Sequence, residues 1–165
     1  VVPTWHILLI SMSFIHPKNV RTEQQAEVMA EIAKAKVCPF CAENLSDYHK
    51  KPIHEEGKYW ILTENQWPYE GAKIHLFAIA KKHIDSIKDL ESDASAELFD
   101  LFKRGAERFG IKGGTVAMRF SPTTQYASSV KHLHAHFIEP DVENPAHQGI
   151  KFPVSKSTTT PQTES

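Results

Sequence analysis

The apolar positions of this 165-residue chain change period along its length, and the changes outline its elements. After Pro17, Thr22-Glu23-Gln24-Gln25 has the form of a capping box. Ala26, Met29, Ala30 and Ala33 follow on one helical stripe, which predicts a helix to about Lys36. Residues 42–57 are polar with no clear period and read as a loop. Lys58 to Glu64 is rich in β-formers, and Trp67-Pro68-Tyr69-Glu70-Gly71 supplies a turn. From Ala72 to Lys81 the alternation is strict: His75, Phe77 and Ile79 share one face while Ile74, Leu76, Ala78 and Ala80 share the other. That strand belongs in the middle of a covered sheet. Ser92 or Asp93 opens a second helix with the stripe Leu98, Leu101, Phe102, Ala106 and Phe109, and Gly110 is placed to end it. Thr115 to Phe120 is a further strand, a polar loop runs through Ser129, and His132-Leu133-His134-Ala135-His136 lies in the last strand. This order predicts an α+β domain: a mainly antiparallel sheet of about five strands with two main helices.

Composition narrows the picture. At 41% hydrophobic, the chain supports one domain with its own core and is too short for two. That domain is expected over 22–152, with an N-terminal extension over 1–21 and a disordered tail over 153–165, where Ser, Thr, Pro and Gln dominate. Nineteen basic and twenty acidic residues give a net charge of -1, which excludes a long nucleic acid held through many phosphates but leaves small phosphorylated ligands open. The apolar stretch from Ile7 to Ile15 is interrupted by Ser11 and Ser13, has no basic region before it, and is far shorter than the about 20 residues of a membrane span. It reads as an extra strand, and no membrane partner is expected. The two cysteines, Cys38 and Cys41, sit in one Cys-Pro-Phe-Cys unit, which fits a reducing, cytoplasmic setting better than a disulfide framework.

The candidate chemistry lies at two places. His132, His134 and His136, two residues apart, fall on one face of an extended strand, and neutral imidazole can act as nucleophile, proton carrier or metal ligand. Cys38 and Cys41 have the spacing at which two thiolates grip one zinc ion from a tight turn. His83, just past the central strand, and His132, at the entry of the histidine strand, fall at one sheet edge if those strands are antiparallel neighbours. Such a closed Cys2His2 site would be structural. The rival is a redox dithiol, but that motif follows a strand and opens a helix, whereas here a helix precedes and an unpatterned stretch follows. His6, His16, His49, His54 and His147 read as surface residues. His75 is divided between core packing and proximity to the active site, and Trp60 and Trp67 read as packing. The glycines around Lys112 lack the spacing of a phosphate loop.

These motifs resemble the histidine-triad superfamily. His132, His134 and His136 followed by Phe137-Ile138 fit its signature, and Pro140 follows one position later than in many members. His75-Leu76-Phe77-Ala78-Ile79-Ala80-Lys81-Lys82-His83 is similar to an upstream strand of the family, with Ala80 in place of a proline. Asn65-Gln66-Trp67-Pro68 resembles the turn before it. The two cysteines with His83 and His132 are similar to the zinc site of a subset that includes galactose-phosphate uridylyltransferase, and Trp67-Pro68-Tyr69 resembles a turn of the diadenosine tetraphosphate enzymes. Three positions depart: Ser128 stands for a glutamine, Ile74 for a glycine and Ser121 for an asparagine.

The resemblance, which covers about residues 38–140, implies a HIT-like fold and a nucleotide hydrolase or nucleotidyltransferase. His134 would attack the α-phosphate of a dinucleoside polyphosphate, nucleotidyl sugar or phosphoramidate and form a covalent nucleotidyl-histidine. It implies His136 at the phosphate or the leaving group's proton, Asn65 at the ribose, and Ser128 and Ser129 as phosphate donors. It further implies a structural Zn2+ on Cys38, Cys41, His83 and His132, a small nucleotide as partner, and a homodimer. The alternatives are a non-catalytic nucleotide-binding or regulatory module and, behind it, the thiol-disulfide protein.

Overall fold

The computed structural model describes residues 14–15, 22–120 and 127–155. Its elements are α1 (Glu23–Ala35), α2 (Ala42–Tyr48), β1 (Ile53–Glu56), β2 (Trp60–Glu64), β3 (Ala72–Ala80), a 3-10 turn (Ile87–Asp89), α3 (Ser92–Phe109), β4 (Thr115–Arg119) and β5 (His134–Pro140). The strands form one antiparallel sheet in the order β1-β2-β3-β5-β4, so β3, the strand with the strictest alternation, does take the middle. The HIT-like α+β architecture expected from the sequence is thus the one observed.

Local sequence explains the element ends. The Thr22 hydroxyl accepts from the Gln25 N–H at 3.1 Å and starts α1, and Gly110 closes α3 in the left-handed region at φ 63°. Two expectations need correction. Residues 42–57 are not a loop: they hold α2 and β1, a seven-residue helix with no buried residue and a four-residue edge strand, both too short and too exposed to carry a period. The last strand begins at His134 rather than His132. The Leu133 N–H donates outside the sheet to Ile84 O at 2.6 Å, which leaves His132 in the turn before the strand.

The sheet separates two environments. One face buries Trp60, Leu62, Leu76, Ala78, Ala80, Leu133 and Ala135 against Leu98, Leu101 and Phe102 of α3, and the Trp60 indole N–H donates to Ala94 O at 2.7 Å. Each large side chain there contributes about 1.5–3 kcal/mol of burial. Glu97, also on α3, accepts from the N–H groups of Lys58, Tyr59 and Trp60 at 3.1, 2.8 and 3.0 Å, and so ties the helix to the turn that opens β2. The opposite face presents Phe77 and Ile79 of β3 beside their register partners His136 and His134. It is covered by Phe40 of the Cys-Pro-Phe-Cys turn, while Met29 and Ile32 of α1 pack with Val130 and Ile15 beside it.

Of the predicted N-terminal strand, residues 7–13 lie outside the described residues; Ile15 bridges Val130, and the Lys131 N–H donates to Phe14 O at 2.7 Å. Most of 1–21, Ser121, and the tail from 156 onward also lie outside them. Among the described residues no helix is long and apolar enough to cross a membrane.

Candidate active site

His134 sits on β5, opposite Ile79 of β3 and Arg119 of β4. Its Nδ1–H donates to the His132 carbonyl at 2.5 Å, which fixes the ring proton on that nitrogen and leaves the lone pair on Nε2. Burial pushes the imidazole down to about 3, so the ring is neutral near neutral pH. Phe40 and Phe77 flank it at ring-centroid distances of 5.4 and 4.9 Å.

The cleft above this ring encloses about 570 Å³ of empty space, counting the open solvent at its mouth. His134, His136, Arg119 and Phe77 line it from the sheet, Gln25, Met29 and Ile32 from α1, Tyr48 from the end of α2, and Phe40, Trp67, Asn65 and Ser129 from the intervening turns. Of the two serines expected at the phosphate, Ser129 lines the cleft, whereas the Ser128 hydroxyl is turned to Val130 O at 2.9 Å. Trp67, read as packing, belongs to the cleft wall. His49, read as a surface residue, is buried there with Nε2 2.7 Å from the Thr63 hydroxyl, and desolvation holds it down to about 4. His6 and His16 lie outside the described residues.

A polar network continues from the cleft floor. His136 Nδ1 lies 2.9 Å from His75 Nε2, and the Tyr69 N–H points at His75 Nδ1 from 3.2 Å. Asn65 Nδ2 lies 3.2 Å from His75 Nε2, while its Oδ1 accepts from the Trp67 N–H at 2.8 Å. Arg119 Nη2 donates to the Tyr69 hydroxyl at 2.8 Å and to His136 Nε2 at 3.2 Å. His75 thus belongs to the polar network at the cleft floor and not to the apolar core. Sequence reasoning missed Arg119, whose only advance signal was a charge on the inward phase of a strand.

The four predicted metal ligands converge. Cys38 Sγ lies 3.2 Å from His132 Nδ1, Cys41 Sγ lies 3.4 Å from His83 Nδ1 and 3.9 Å from His132 Nδ1, and the two Nδ1 atoms are 3.2 Å apart. A tetrahedral ion with metal–sulfur bonds of about 2.3 Å and metal–nitrogen bonds of about 2.05 Å needs sulfur–nitrogen edges of about 3.5 Å and nitrogen–nitrogen edges of about 3.3 Å. The set matches those edges. His132 Nε2–H donates to Ala80 O at 2.6 Å, which leaves Nδ1 as the lone pair aimed at the sulfurs, the orientation a ligating imidazole requires. Burial pushes the Cys38 thiol up to about 12, so a bound cation is what would make it a thiolate. Both cysteines are free. Cys41 caps α2, so the pair does open a helix and half of the sequence argument against a redox dithiol falls. The two convergent imidazoles supply a stronger one.

Comparison with known proteins follows the same outline. Residues 37–151 match the family described as "Scavenger mRNA decapping enzyme C-term binding". The chain is 30% identical over 86 residues to a HIT-like protein of Chlamydia trachomatis, covering 50% of this chain and 75% of that one. A HIT family hydrolase from Clostridium thermocellum superposes with a TM-score of 0.50 at 26% identity, over 66% of this chain and 94% of its own. A zinc-bound histidine triad family protein from Mycobacterium smegmatis shares the fold, with a TM-score of 0.51 at 20% identity over 70% and 83% of the two chains.

Proposed function

From the premise that the chain belongs to the histidine-triad superfamily, within the decapping-enzyme C-terminal family, we propose that it processes nucleotides through His134, as a hydrolase or nucleotidyltransferase. The observation that carries this reading is the main-chain lock on His134: a neutral ring with its proton held by His132 O keeps a nucleophilic lone pair on Nε2, in a side chain that lines an open cleft. In the reaction Nε2 forms a bond to the α-phosphorus, the bond to the leaving group breaks with its electron pair, and a nucleotidyl-histidine results. Water or a second acceptor then attacks the same phosphorus and returns the imidazole. Two displacements retain configuration at phosphorus.

The remaining cleft residues take supporting parts. Ser129 and Arg119 meet the phosphoryl charge, and His136 stands between Arg119 and His75. The resemblance gives Asn65 to the ribose, but its amide is committed to His75 and the Trp67 N–H, so here it positions His75. Phe40, Tyr48 and Trp67 form an aromatic wall suited to a base. Cys38, Cys41, His83 and His132 would hold Zn2+, which with four protein ligands supplies fold rigidity rather than an activated water. The thiol ligands suit a reducing, cytoplasmic setting. The edge strand β4, with Val116 41% exposed, suits a homodimer joined through the sheet.

Mass spectrometry after brief incubation with adenylated and uridylylated compounds tests the reading. The expected result is a gain of one nucleotide that is absent in His134→Ala. Substrate turnover with inversion at phosphorus, or with undiminished rate in His134→Ala, overturns it. Nucleotide binding without turnover over a broad panel would instead leave a binding module.

A further inference from the structure

Among the described residues no carboxylate lies within ion-pair distance of Arg119, the arginine that lines the cleft. Other groups hold it, and the segment after β5 supplies two of them. The guanidinium carbon lies 4.1 Å from the Phe152 ring centroid, and Nη1 donates to Pro153 O at 2.8 Å. At the other end Nη2 donates to the Tyr69 hydroxyl at 2.8 Å and lies 3.2 Å from His136 Nε2. The Phe152 ring also meets the Tyr69 and His136 rings, each at a centroid distance of 5.4 Å.

A defined return path brings this pair of residues back to the sheet. Past Pro140 the Asp141 N–H donates to Gly71 O at 2.8 Å, the Ala146 N–H donates to Asn144 Oδ1 at 2.9 Å, and the His147 N–H donates to Asn144 O at 2.9 Å. Gly71, in the left-handed region at φ 83°, leaves room for the return: a Cβ there would stand 3.3 Å from the His147 ring and 3.6 Å from Ile150. Phe152 precedes a proline, which biases its backbone to the extended region and stiffens the strap where it meets Arg119. The span that matches the family ends at residue 151, so Phe152 and Pro153 lie just past it.

Resting on the reading of Arg119 as a phosphoryl contact, we propose that Phe152 is a positioning residue for Arg119: with Pro153 O it forms a clamp that orders the guanidinium at the cleft without neutralising it. A carboxylate would order the same group but take up its charge in an ion pair. A ring face and a carbonyl carry no net charge. The ring holds the cation through its quadrupole, the carbonyl holds one N–H, and the positive charge is left for an anion that the protein does not supply. An arginine ordered in advance also gives up less side-chain freedom when phosphate arrives. Removing the ring leaves the charge in place but lets its direction spread, so the loss of phosphate affinity is partial where removal of Arg119 is complete.

Nitrogen-15 relaxation of the Arg119 Nε–H in the full chain reads the clamp directly, because that proton is buried and shielded from exchange. In wild type the group is as rigid as the backbone of β4. Its heteronuclear NOE falls in Phe152→Ala and in Phe152→Leu, which packs without a ring face, and is kept in Phe152→Tyr. Calorimetry with ADP reads the consequence: Phe152→Ala weakens binding about 10-fold, whereas Phe152→Tyr stays within ~3-fold of wild type. In an Arg119→Gln background Phe152→Ala adds less than ~2-fold, since the group it acts through is gone. An Arg119 as rigid in Phe152→Ala as in wild type, full rescue by Phe152→Leu, or equal losses in both backgrounds overturns the proposal. A wild type that binds no ADP sinks the nucleotide reading alone, and the relaxation measurement then decides the clamp by itself.

Discussion

Gly113 and Gly114 are neighbours in sequence and opposites in space, which makes them a matched pair for testing the β4–β5 packing. A Cβ built on Gly114 falls 2.0 Å from the carbonyl oxygen of Ile138, whereas real Cβ contacts essentially never come under 3.0 Å. One built on Gly113 meets nothing within 4 Å. Alanine at 114 therefore forces the start of β4 away from β5 by about 1 Å, enough to break roughly two ladder hydrogen bonds at about 1 kcal/mol each and to add about 1–2 kcal/mol of residual strain. Backbone cannot rotate aside as a side-chain tip would. The expected loss for Gly114→Ala is about 3–4 kcal/mol, which for a domain of this size lowers Tm by about 6–16 °C. Gly113→Ala changes stability by less than about 0.5 kcal/mol or raises it slightly through the unfolded chain. Thermal unfolding of the three proteins at one concentration and pH measures both. Equal melting temperatures for the two variants would refute the close approach of Gly114 to Ile138.

Four further outcomes are expected. Stripping metal with a chelator at neutral pH lowers Tm, and adding back zinc at about 1,000 times its dissociation constant restores about 4 kcal/mol; an unchanged melt with no metal found in the purified protein sinks the four-ligand site. The pH dependence of kcat/KM shows no nucleophile inflection between about 5.5 and 8, because His134 stays neutral across that window, and an NMR titration in which the His134 ring protonates near 6.5 contradicts its burial. Fold stability runs with pH through His49: its folded value of about 4 lies below its unfolded value, so the unfolded chain takes up the proton first. Stability is then complete above about pH 6.5 and declines as pH falls toward 4, and denaturant melts of His49→Gln flatten that slope. Glu97→Ala leaves three N–H groups of the β2 turn without their acceptor and costs about 2–3 kcal/mol by chemical denaturation, with a loss under about 0.5 kcal/mol counting against the tie.

Much of this molecule is legible from period and spacing alone. β3 and α3 are long enough for their stripes to show, and Cys38, Cys41, His83 and His132 were reachable because two antiparallel neighbours must bring an exit and an entry to one edge. α2 and β1 were not legible, since an element with no buried face leaves no hydrophobic signature. Arg119, His75 and His49 illustrate another limit. Each acquires its role from groups more than ten residues away, namely His136 for the first two and Thr63 for the third, and no local window contains those partners.

His132 joins two systems through two different parts of itself: its imidazole turns to the sulfurs, and its carbonyl takes the proton of His134. The carbonyl is common to all residues, so the state of the His134 ring depends on where peptide 132 lies and not on which side chain hangs from it. The four-ligand cluster and the cleft ring are therefore separable parts. A redesigned protein with four well-packed apolar residues in place of Cys38, Cys41, His83 and His132 would keep the His134 proton where it is, provided the turn before β5 held its position.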